Sequence, residues 1–158
     1  MRRVRAFVGL GSNLGDRERT LRAAVEALGR LSETAVRRVS RFRDTEPVGL
    51  RGQPHFLNAV AELETGLSPR QLLDELLAIE RSLGRDRRGV PQGGPRTADL
   101  DLLLYGSAEI HEPGLEVPHP RLPERRFVLE PLAELDPVLE VPGKGPVETL
   151  LAKLDSAP

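Results

Sequence analysis

Residues 93–106 read Gly-Gly-Pro-Arg-Thr-Ala-Asp-Leu-Asp-Leu-Leu-Leu-Tyr-Gly, and this stretch decides the fold. Its centre, residues 98–104, has the length and apolar content of a buried strand. Side chains alternate between the two faces of a strand, so we expect Asp99 and Asp101 to share one face. The residues predicted on the opposite face, in a core, are Leu100, Leu102 and Leu104.

The acidic pair is the first candidate for chemistry. Two ionised carboxylates this close repel each other, and burial strengthens the repulsion. Hard oxygen ligands at this spacing suit Mg²⁺, which takes one or two carboxylates together with substrate phosphates. Arg96, just upstream, is suited to hold a phosphate through two hydrogen bonds. The alternative is that Asp99 and Asp101 are solvated at the end of the strand and paired with Arg96.

Length and composition exclude several classes of protein. The chain has 158 residues, so we expect a single domain over residues 1–158. The formal net charge of -1 gives no overall field that would attract nucleic acid or an anionic membrane. The absence of Cys excludes disulfides and thiolate sites. No apolar run is as long as a membrane span, and the first residues do not have the pattern of a signal peptide. We therefore predict a cytoplasmic protein.

The apolar pattern predicts alternating strands and helices up to residue 105. The predicted elements are a strand over residues 4–9, a helix capped by Asp16, strands over 35–42 and 56–65, a helix from Ser68 to Gly84, and the acidic strand. The order β-α-β-β-α-β is the ferredoxin-like arrangement, an α+β fold in which helices pack on one face of a mainly antiparallel sheet. Residues 43–55 are expected to form a loop.

Local signals refine these elements. Residues 9–15, Gly-Leu-Gly-Ser-Asn-Leu-Gly, lack the spacing of a dinucleotide loop and are interpreted as a tight turn. The second helix begins with a capping box formed by Ser68 and Gln71, and its apolar stripe includes Leu77. In the strand 56–65, the residues expected to face the core are Leu57, Ala59, Ala61 and Leu63, and those facing elsewhere are Phe56, Asn58, Val60 and Glu62.

The remaining segments offer further candidates. Residues 84–95 are predicted to form an arginine-rich loop. The loop is either solvated or a lid that covers a bound polyphosphate, and its position next to Asp99 favours the lid. Residues 117–121 form a proline-locked turn in which His119 is either structural or a phosphate ligand. A helix is predicted from Arg125 to Leu135, with a kink at Pro131, and a short helix over 147–154.

Two phenylalanines lie next to predicted loops. Phe56 and Phe127 are suited to stack on a flat heterocycle, whose edge the amide of Asn58 would bond. The alternative is that both rings belong to the core.

Five segments together resemble 6-hydroxymethyl-7,8-dihydropterin pyrophosphokinase, an enzyme family of folate biosynthesis. The segments are 9–16 (Gly-Leu-Gly-Ser-Asn-Leu-Gly-Asp), 45–49 (Thr-Glu-Pro-Val-Gly), 53–58 (Gln-Pro-His-Phe-Leu-Asn), 94–101 (Gly-Pro-Arg-Thr-Ala-Asp-Leu-Asp) and 117–119 (Val-Pro-His). Each is weak alone, and their order and spacing make the resemblance specific from about residue 4 to about residue 140.

The resemblance implies transfer of the terminal diphosphate of ATP to the hydroxymethyl oxygen of the pterin, with release of AMP. It implies two Mg²⁺ ions held by Asp99 and Asp101. The pterin-binding residues it implies are Thr45, Pro47, Val48, Phe56, Asn58 and Phe127. The ATP-binding residues it implies are Glu80, Arg85, Arg87, Arg96, His119 and Arg125. Of these, Arg87, Arg96 and Arg125 are expected to act in catalysis, and Asp101 or an oxygen on the metal is a candidate to accept the hydroxyl proton.

The chain departs from the family pattern at four positions, Leu77, Gln92, Gly93 and Pro120, and these bear on lid closure and ATP affinity. The expected partners are small molecules, with no nucleic acid or membrane, in a monomer or weak homo-oligomer. Two other classes stay open: a ferredoxin-like RNA-binding module, which needs exposed aromatics and a basic surface, and a phosphotransferase with another acceptor.

Overall fold

The computed structural model describes residues 2–13, 15–45, 55–84 and 98–156. Five strands form the main sheet: β1 (Val4–Ser12), β2 (Thr34–Val39), β3 (Arg43–Thr45), β4 (Phe56–Thr65) and β5 (Asp99–Tyr105). The helices are α1 (Arg17–Gly29), α2 (Pro69–Gly84), α3 (Arg126–Leu135) and α4 (Val147–Ser156). The smaller elements are β6 (Ile110–Glu112), β7 (Leu115–Val117), a 3₁₀ turn (Leu122–Glu124), β8 (Glu140–Val141) and β9 (Gly145–Pro146).

The sheet has the order β2-β4-β1-β5, and all of its pairs are antiparallel. This order confirms the predicted ferredoxin-like βαββαβ core. The third strand, β3, pairs with the first residues of β4, with Thr45 opposite Phe56. The prediction that residues 43–45 belong to a loop was therefore wrong, because three polar residues carry no apolar alternation that would reveal a strand.

The predicted strand over residues 35–42 ends early, at Val39. Ser40 follows it and exchanges two hydrogen bonds with Val60, one through its backbone N–H and one through its hydroxyl oxygen, each 2.9 Å long. The hydroxyl of Ser40 thereby accepts a backbone N–H of β4 that a strand carbonyl would otherwise accept, and the chain leaves the β2–β4 pairing before β3 begins.

Helices cover both faces of the sheet, so the expectation of helices on one face was wrong. The first face packs against α1 and α2 through residues such as Val8, Leu28 and Leu76. The second face packs against α3 and α4, and its buried residues include Phe7, Val60 and Leu129. The alternation of β4 was assigned correctly, but Val60, on the side predicted to face elsewhere, lies in this second core.

A β-bulge in β5 changes which leucines face which core. Phe7 is opposite Leu104, whereas the next residue of β1, Val8, is opposite Leu102. The extra residue, Leu103, shifts the alternation, so that Leu104 lies in the second core rather than with Leu100 and Leu102. The prediction for Leu104 was wrong for this reason.

The predicted helix caps are present. The carboxylate of Asp16 accepts the backbone N–H of Arg19 at 3.1 Å. Ser68 and Gln71 form a reciprocal capping box, with bonds of 2.9 and 3.1 Å between each backbone N–H and the other side chain. Leu77, predicted in the apolar stripe of α2, is instead 40% exposed, since the buried face of α2 runs through Leu72, Leu76 and Ile79.

The last third of the described chain keeps its predicted helices. Helix α3 begins at Arg126, after Arg125, and contains Pro131, and α4 extends the predicted C-terminal helix to Ser156. Within the described ranges, no helix is long and apolar enough to cross a membrane.

Candidate active site

A cleft of about 600 Å³ opens on the second face of the sheet, where β1, β3, β4 and β5 meet the start of α3. The sequence-predicted residues that line it are Thr45, Phe56, Asn58, Asp99, Asp101, Arg125 and Phe127. Both predicted groups, the acidic pair and the aromatic and amide residues, therefore face one cavity.

Two glycines of β1 form the floor of the cleft. Gly11 is opposite both Asn58 and Asp99, and Gly9 is opposite Asp101. A Cβ atom built on Gly11 would lie 2.9 Å from Oδ1 of Asn58, closer than such contacts occur. Residues 9–15 were predicted to form a turn, but β1 continues through Ser12, so Gly9 and Gly11 lie within a strand.

One end of the cleft, which we call the aromatic end, contains Thr45, Phe56, Asn58 and Phe127. Asn58 is only 8% exposed, and its amide nitrogen donates to the hydroxyl oxygen of Thr45. Phe127 is partly buried against the second core, whereas Phe56 belongs to neither core cluster. The guanidinium of Arg125 lies 5.5 Å from the centre of the Phe127 ring.

The opposite end, the acidic end, contains Asp99 and Asp101. Both side chains lie on one face of β5, as predicted, and both are partly buried. Glu80 of α2 accepts the backbone N–H of Leu100 at 2.7 Å, which attaches α2 to the outer edge of β5 between the two aspartates. Glu80 was predicted near the nucleotide, and it lies on the α2 side of this strand.

His119 lies close to the acidic end. Its backbone N–H donates to the carbonyl of Leu103 at 3.0 Å, and its Nδ1 accepts the backbone N–H of Arg121 at 3.2 Å. An accepting Nδ1 leaves the proton of the neutral ring on Nε2. Burial lowers the pKa of His119, Arg125 and Arg121 add to that effect, and Asp101 opposes it. The neutral ring is therefore a hydrogen-bond donor through Nε2 at neutral pH.

Several cleft residues were not predicted. They are Gly9, Gly11, Arg121, Glu124 and Arg126. The side chain of Arg126 pairs with Asp155 of α4 at 2.5 Å. The arginines that follow His119 in the sequence could have indicated that this side of the cleft is basic. The two glycines were missed because their segment was interpreted as a turn.

Other predicted positions lie outside the described residues. They are Pro47, Val48, Arg85, Arg87, Gln92, Gly93 and Arg96, together with the predicted lid. In the ranges that the structure does describe, no group of three or more His, Asp or Glu side chains is placed to hold a metal ion.

Comparison with known proteins agrees with this geometry. A family model for 7,8-dihydro-6-hydroxymethylpterin-pyrophosphokinase (HPPK) matches residues 7–137. A Bacillus subtilis 2-amino-4-hydroxy-6-hydroxymethyldihydropteridine pyrophosphokinase is 48% identical over 130 residues, which cover 82% of this chain and 77% of the relative. The Pseudomonas aeruginosa protein of the same name is 45% identical over 148 residues, covering 94% of this chain and 90% of the relative.

Solved structures show the same fold at low sequence identity. A crystal structure of an HPPK-DHPS in complex with substrates has a TM-score of 0.76 at 11% identity, and the match covers 97% of this chain. A Plasmodium falciparum HPPK-DHPS variant with SDX-DHP has a TM-score of 0.77 at 13% identity, over 96% of this chain. This chain spans 43% and 45% of the lengths of these two larger chains.

Proposed function

We propose that this chain, which belongs to the 7,8-dihydro-6-hydroxymethylpterin-pyrophosphokinase family, carries out the reaction of that family in the cleft between the aromatic and acidic ends. It is an ATP-dependent pyrophosphokinase of folate biosynthesis, and it transfers diphosphate from ATP to 6-hydroxymethyl-7,8-dihydropterin with release of AMP. The observation that supports this use of the cleft is that an aromatic pair, a buried amide and two carboxylates line one cavity.

The aromatic end suits the pterin. A flat, polar ring between Phe56 and Phe127 gains stacking and apolar burial. The Thr45 hydroxyl and the Asn58 amide oxygen offer hydrogen-bonding groups to the ring edge, while the bond between these two side chains holds them in place. Pro47 and Val48, outside the described residues, stay predictions for the same substrate.

The acidic end suits Mg²⁺. Asp99 and Asp101 supply two carboxylates on one face of β5, and no third acidic or histidine ligand joins them among the described residues. Mg²⁺ commonly takes this few protein ligands, because phosphate and water oxygens complete its coordination. We infer that these aspartates hold the two expected ions. When bound, Mg²⁺ neutralises phosphate charge and orients the triphosphate.

The transfer makes one bond and breaks one. The hydroxymethyl oxygen of the pterin attacks the β-phosphorus of ATP, and the bond from that phosphorus to the oxygen bridging it to the α-phosphorus breaks. AMP leaves with the bonding electrons, and the hydroxyl proton is lost, with Asp101 a candidate acceptor. We infer that Arg125, which lines the cleft, and the Nε2–H of the nearby His119 stabilise negative charge on the phosphates. Glu80, Arg85, Arg87 and Arg96 stay predictions for ATP.

Product analysis tests the function. The protein is incubated with ATP, MgCl₂ and 6-hydroxymethyl-7,8-dihydropterin, and the nucleotides are separated. We expect AMP and the pterin diphosphate in equal amounts, and no product without the pterin. Formation of ADP would indicate transfer of a single phosphate and would contradict the proposal. A single domain over residues 1–158, a monomer or weak homo-oligomer, and a cytoplasmic location also stay predictions.

A further inference from the structure

Three charged or titratable side chains outside the cleft connect α1, β3 and the residue that precedes β4. Arg17 is the first residue of α1, and one of its guanidinium nitrogens donates to the backbone carbonyl of His55 at 2.9 Å. The other terminal nitrogen donates to Oδ2 of Asp44 in β3, also at 2.9 Å. The remaining carboxylate oxygen of Asp44 lies 3.0 Å from Nδ1 of His55. Arg17, Asp44 and His55 therefore form a closed triad.

The triad lies one residue away from the aromatic end on each strand. Asp44 precedes Thr45, His55 precedes Phe56, and Thr45 and Phe56 are opposite each other in the β3–β4 pair. Both of these neighbours line the cleft. A change in the spacing of Asp44 and His55 would therefore move the backbone next to two cleft residues.

Strand β3 needs such a restraint. It has only three residues and, within the described ranges, it pairs with β4 alone. Its beginning is held by Glu134 of α3, which accepts the backbone N–H of Arg41 at 3.0 Å and pairs with Arg43 at 2.8 Å. The triad holds the other end, the end that carries Thr45.

Electrostatics keep the triad intact near neutral pH. Hydrogen bonds from Arg17 and then His55 lower the pKa of the Asp44 carboxyl, so the carboxylate stays ionised. The side chains of Asp44 and His55 are about half exposed, at 51% and 53%. Exposed ion pairs add little to the free energy of unfolding, so the contribution of the triad is to local geometry rather than to stability.

We propose that Arg17, Asp44 and His55 are positioning residues for the pterin: they set the separation of β3 and β4 at the aromatic end and thereby determine affinity for the pterin but not for ATP. The inference rests on the proposed function of the cleft. Arg17 is the central member, because its planar guanidinium contacts both Asp44 in β3 and the carbonyl of His55, the residue before β4.

Binding measurements on five variants test the proposal. The dissociation constants of the pterin and of MgATP, as a non-hydrolysable analogue, are measured separately by calorimetry, together with the melting temperature. We expect Arg17→Ala to weaken pterin binding up to about fivefold, because restraint by an exposed ion pair is worth at most about 1 kcal/mol. Asp44→Asn should weaken it less, and His55→Ala least, because the backbone carbonyl of His55 remains available to Arg17.

The control is Arg22→Ala on the same helix. Arg22 pairs with Glu18 one turn away, its side chain is 70% exposed, and among the described residues it forms no hydrogen bond or ion pair with β3 or β4. It should bind both ligands as the wild type does. The double variant Arg17→Ala with Asp44→Asn should be little weaker than Arg17→Ala alone, because the bond between Arg17 and Asp44 is already absent from the single variant.

Two results would overturn the positioning role: unchanged pterin affinity in Arg17→Ala, or an equal loss of pterin and ATP-analogue affinity that follows a fall in melting temperature. Failure of the wild type itself to bind the pterin or to produce AMP would instead reject the proposed function.

Discussion

The aromatic end and the acidic end of the cleft are stabilised in different ways. At the aromatic end, neutral side chains bond each other: the buried amide of Asn58 donates to Thr45, and the chain around them is held by a short strand and charged contacts. At the acidic end, Asp99 and Asp101 share one face of an edge strand, and its backbone is held from outside by Glu80 and by the N–H of His119.

The difference follows from what each end binds. A neutral ring is recognised by shape and by a few fixed hydrogen bonds, so its site can be complete before the ligand arrives. Two neighbouring carboxylates repel each other, so we expect bound metal and nucleotide to stabilise the acidic end, whose strand is held by backbone contacts. We therefore expect substitutions at the two ends to affect different ligands.

Loss of one carboxylate should have the largest effect. Asp101→Asn keeps the size of the side chain and removes its charge, and we expect kcat to fall by about 10³-fold, the upper range for loss of one electrostatic contact to a reacting group. Pterin affinity should change by less than about twofold if the two ends are independent. Steady-state kinetics at saturating Mg²⁺ and a pterin titration measure both.

Asp74→Asn is the matched control, since Asp74 is exposed on α2 and does not line the cleft. A near-normal rate for Asp101→Asn would remove the acidic pair from the mechanism.

Gly11→Ala should act at the aromatic end. The added methyl would lie 2.9 Å from Oδ1 of Asn58, so the amide must move from its place in the cleft. We expect the KM for the pterin to rise by roughly 10- to 100-fold, as for the loss of one or two hydrogen bonds, with a smaller change in the KM for ATP. Gly29→Ala is the control, because its Cβ would meet only Val36 at 4.0 Å. Normal pterin kinetics would show that Asn58 is not needed in this position.

Two substitutions of Glu80 can distinguish its hydrogen bond to the β5 backbone from the effect of its negative charge at the acidic end. Glu80→Ala removes the acceptor for the N–H of Leu100, whereas Glu80→Gln retains an oxygen that can accept it. We expect kcat/KM for ATP to fall by about tenfold in the alanine variant and by much less in the glutamine variant. Equal losses in both variants would show that the charge of Glu80, rather than its hold on β5, is what matters.

His119 should give the smallest effect, and it concerns pH. Burial depresses the pKa of the folded-state ring, so the folded protein binds this proton less readily than the unfolded chain does. The stability contributed by the neutral ring is present above the unfolded pKa of about 6.5 and is lost as the pH falls below it. We expect the melting temperature of His119→Gln to fall less than that of the wild type between pH 7.5 and 5.5, by no more than about 2 °C. An equal fall would contradict the burial argument.

Local pattern was enough to predict most of the secondary structure. The capping box at Ser68, the N-cap at Asp16 and the alternation of β4 each depend on neighbouring residues, and all three are confirmed. The shared face of Asp99 and Asp101 was predictable for the same reason, because two residues at positions i and i+2 of a strand point the same way.

The errors share a physical origin in contacts between distant segments. The bulge that moves Leu104 to the second core lies in the pairing of β5 with β1. Strand β3 is defined by its pairing with β4, in which Thr45 lies opposite Phe56. The helices α3 and α4 cover the second face because Phe7 and Val60 of separate strands together make that face apolar. The apolar periodicity of a single segment does not predict its pairing or packing with a distant segment.

The sequence alone determined the order of the elements, the family and the residue types that the chemistry needs, because these follow from local spacing and from motifs in a fixed order. Only the tertiary structure decided that Gly11 lies between Asn58 and Asp99 and that Glu80 bonds the strand between the two aspartates. It also decided that Arg17 joins β3 to His55, the residue before β4. Strand register and packing bring these residues together, and both depend on the whole sheet rather than on any one stretch of chain.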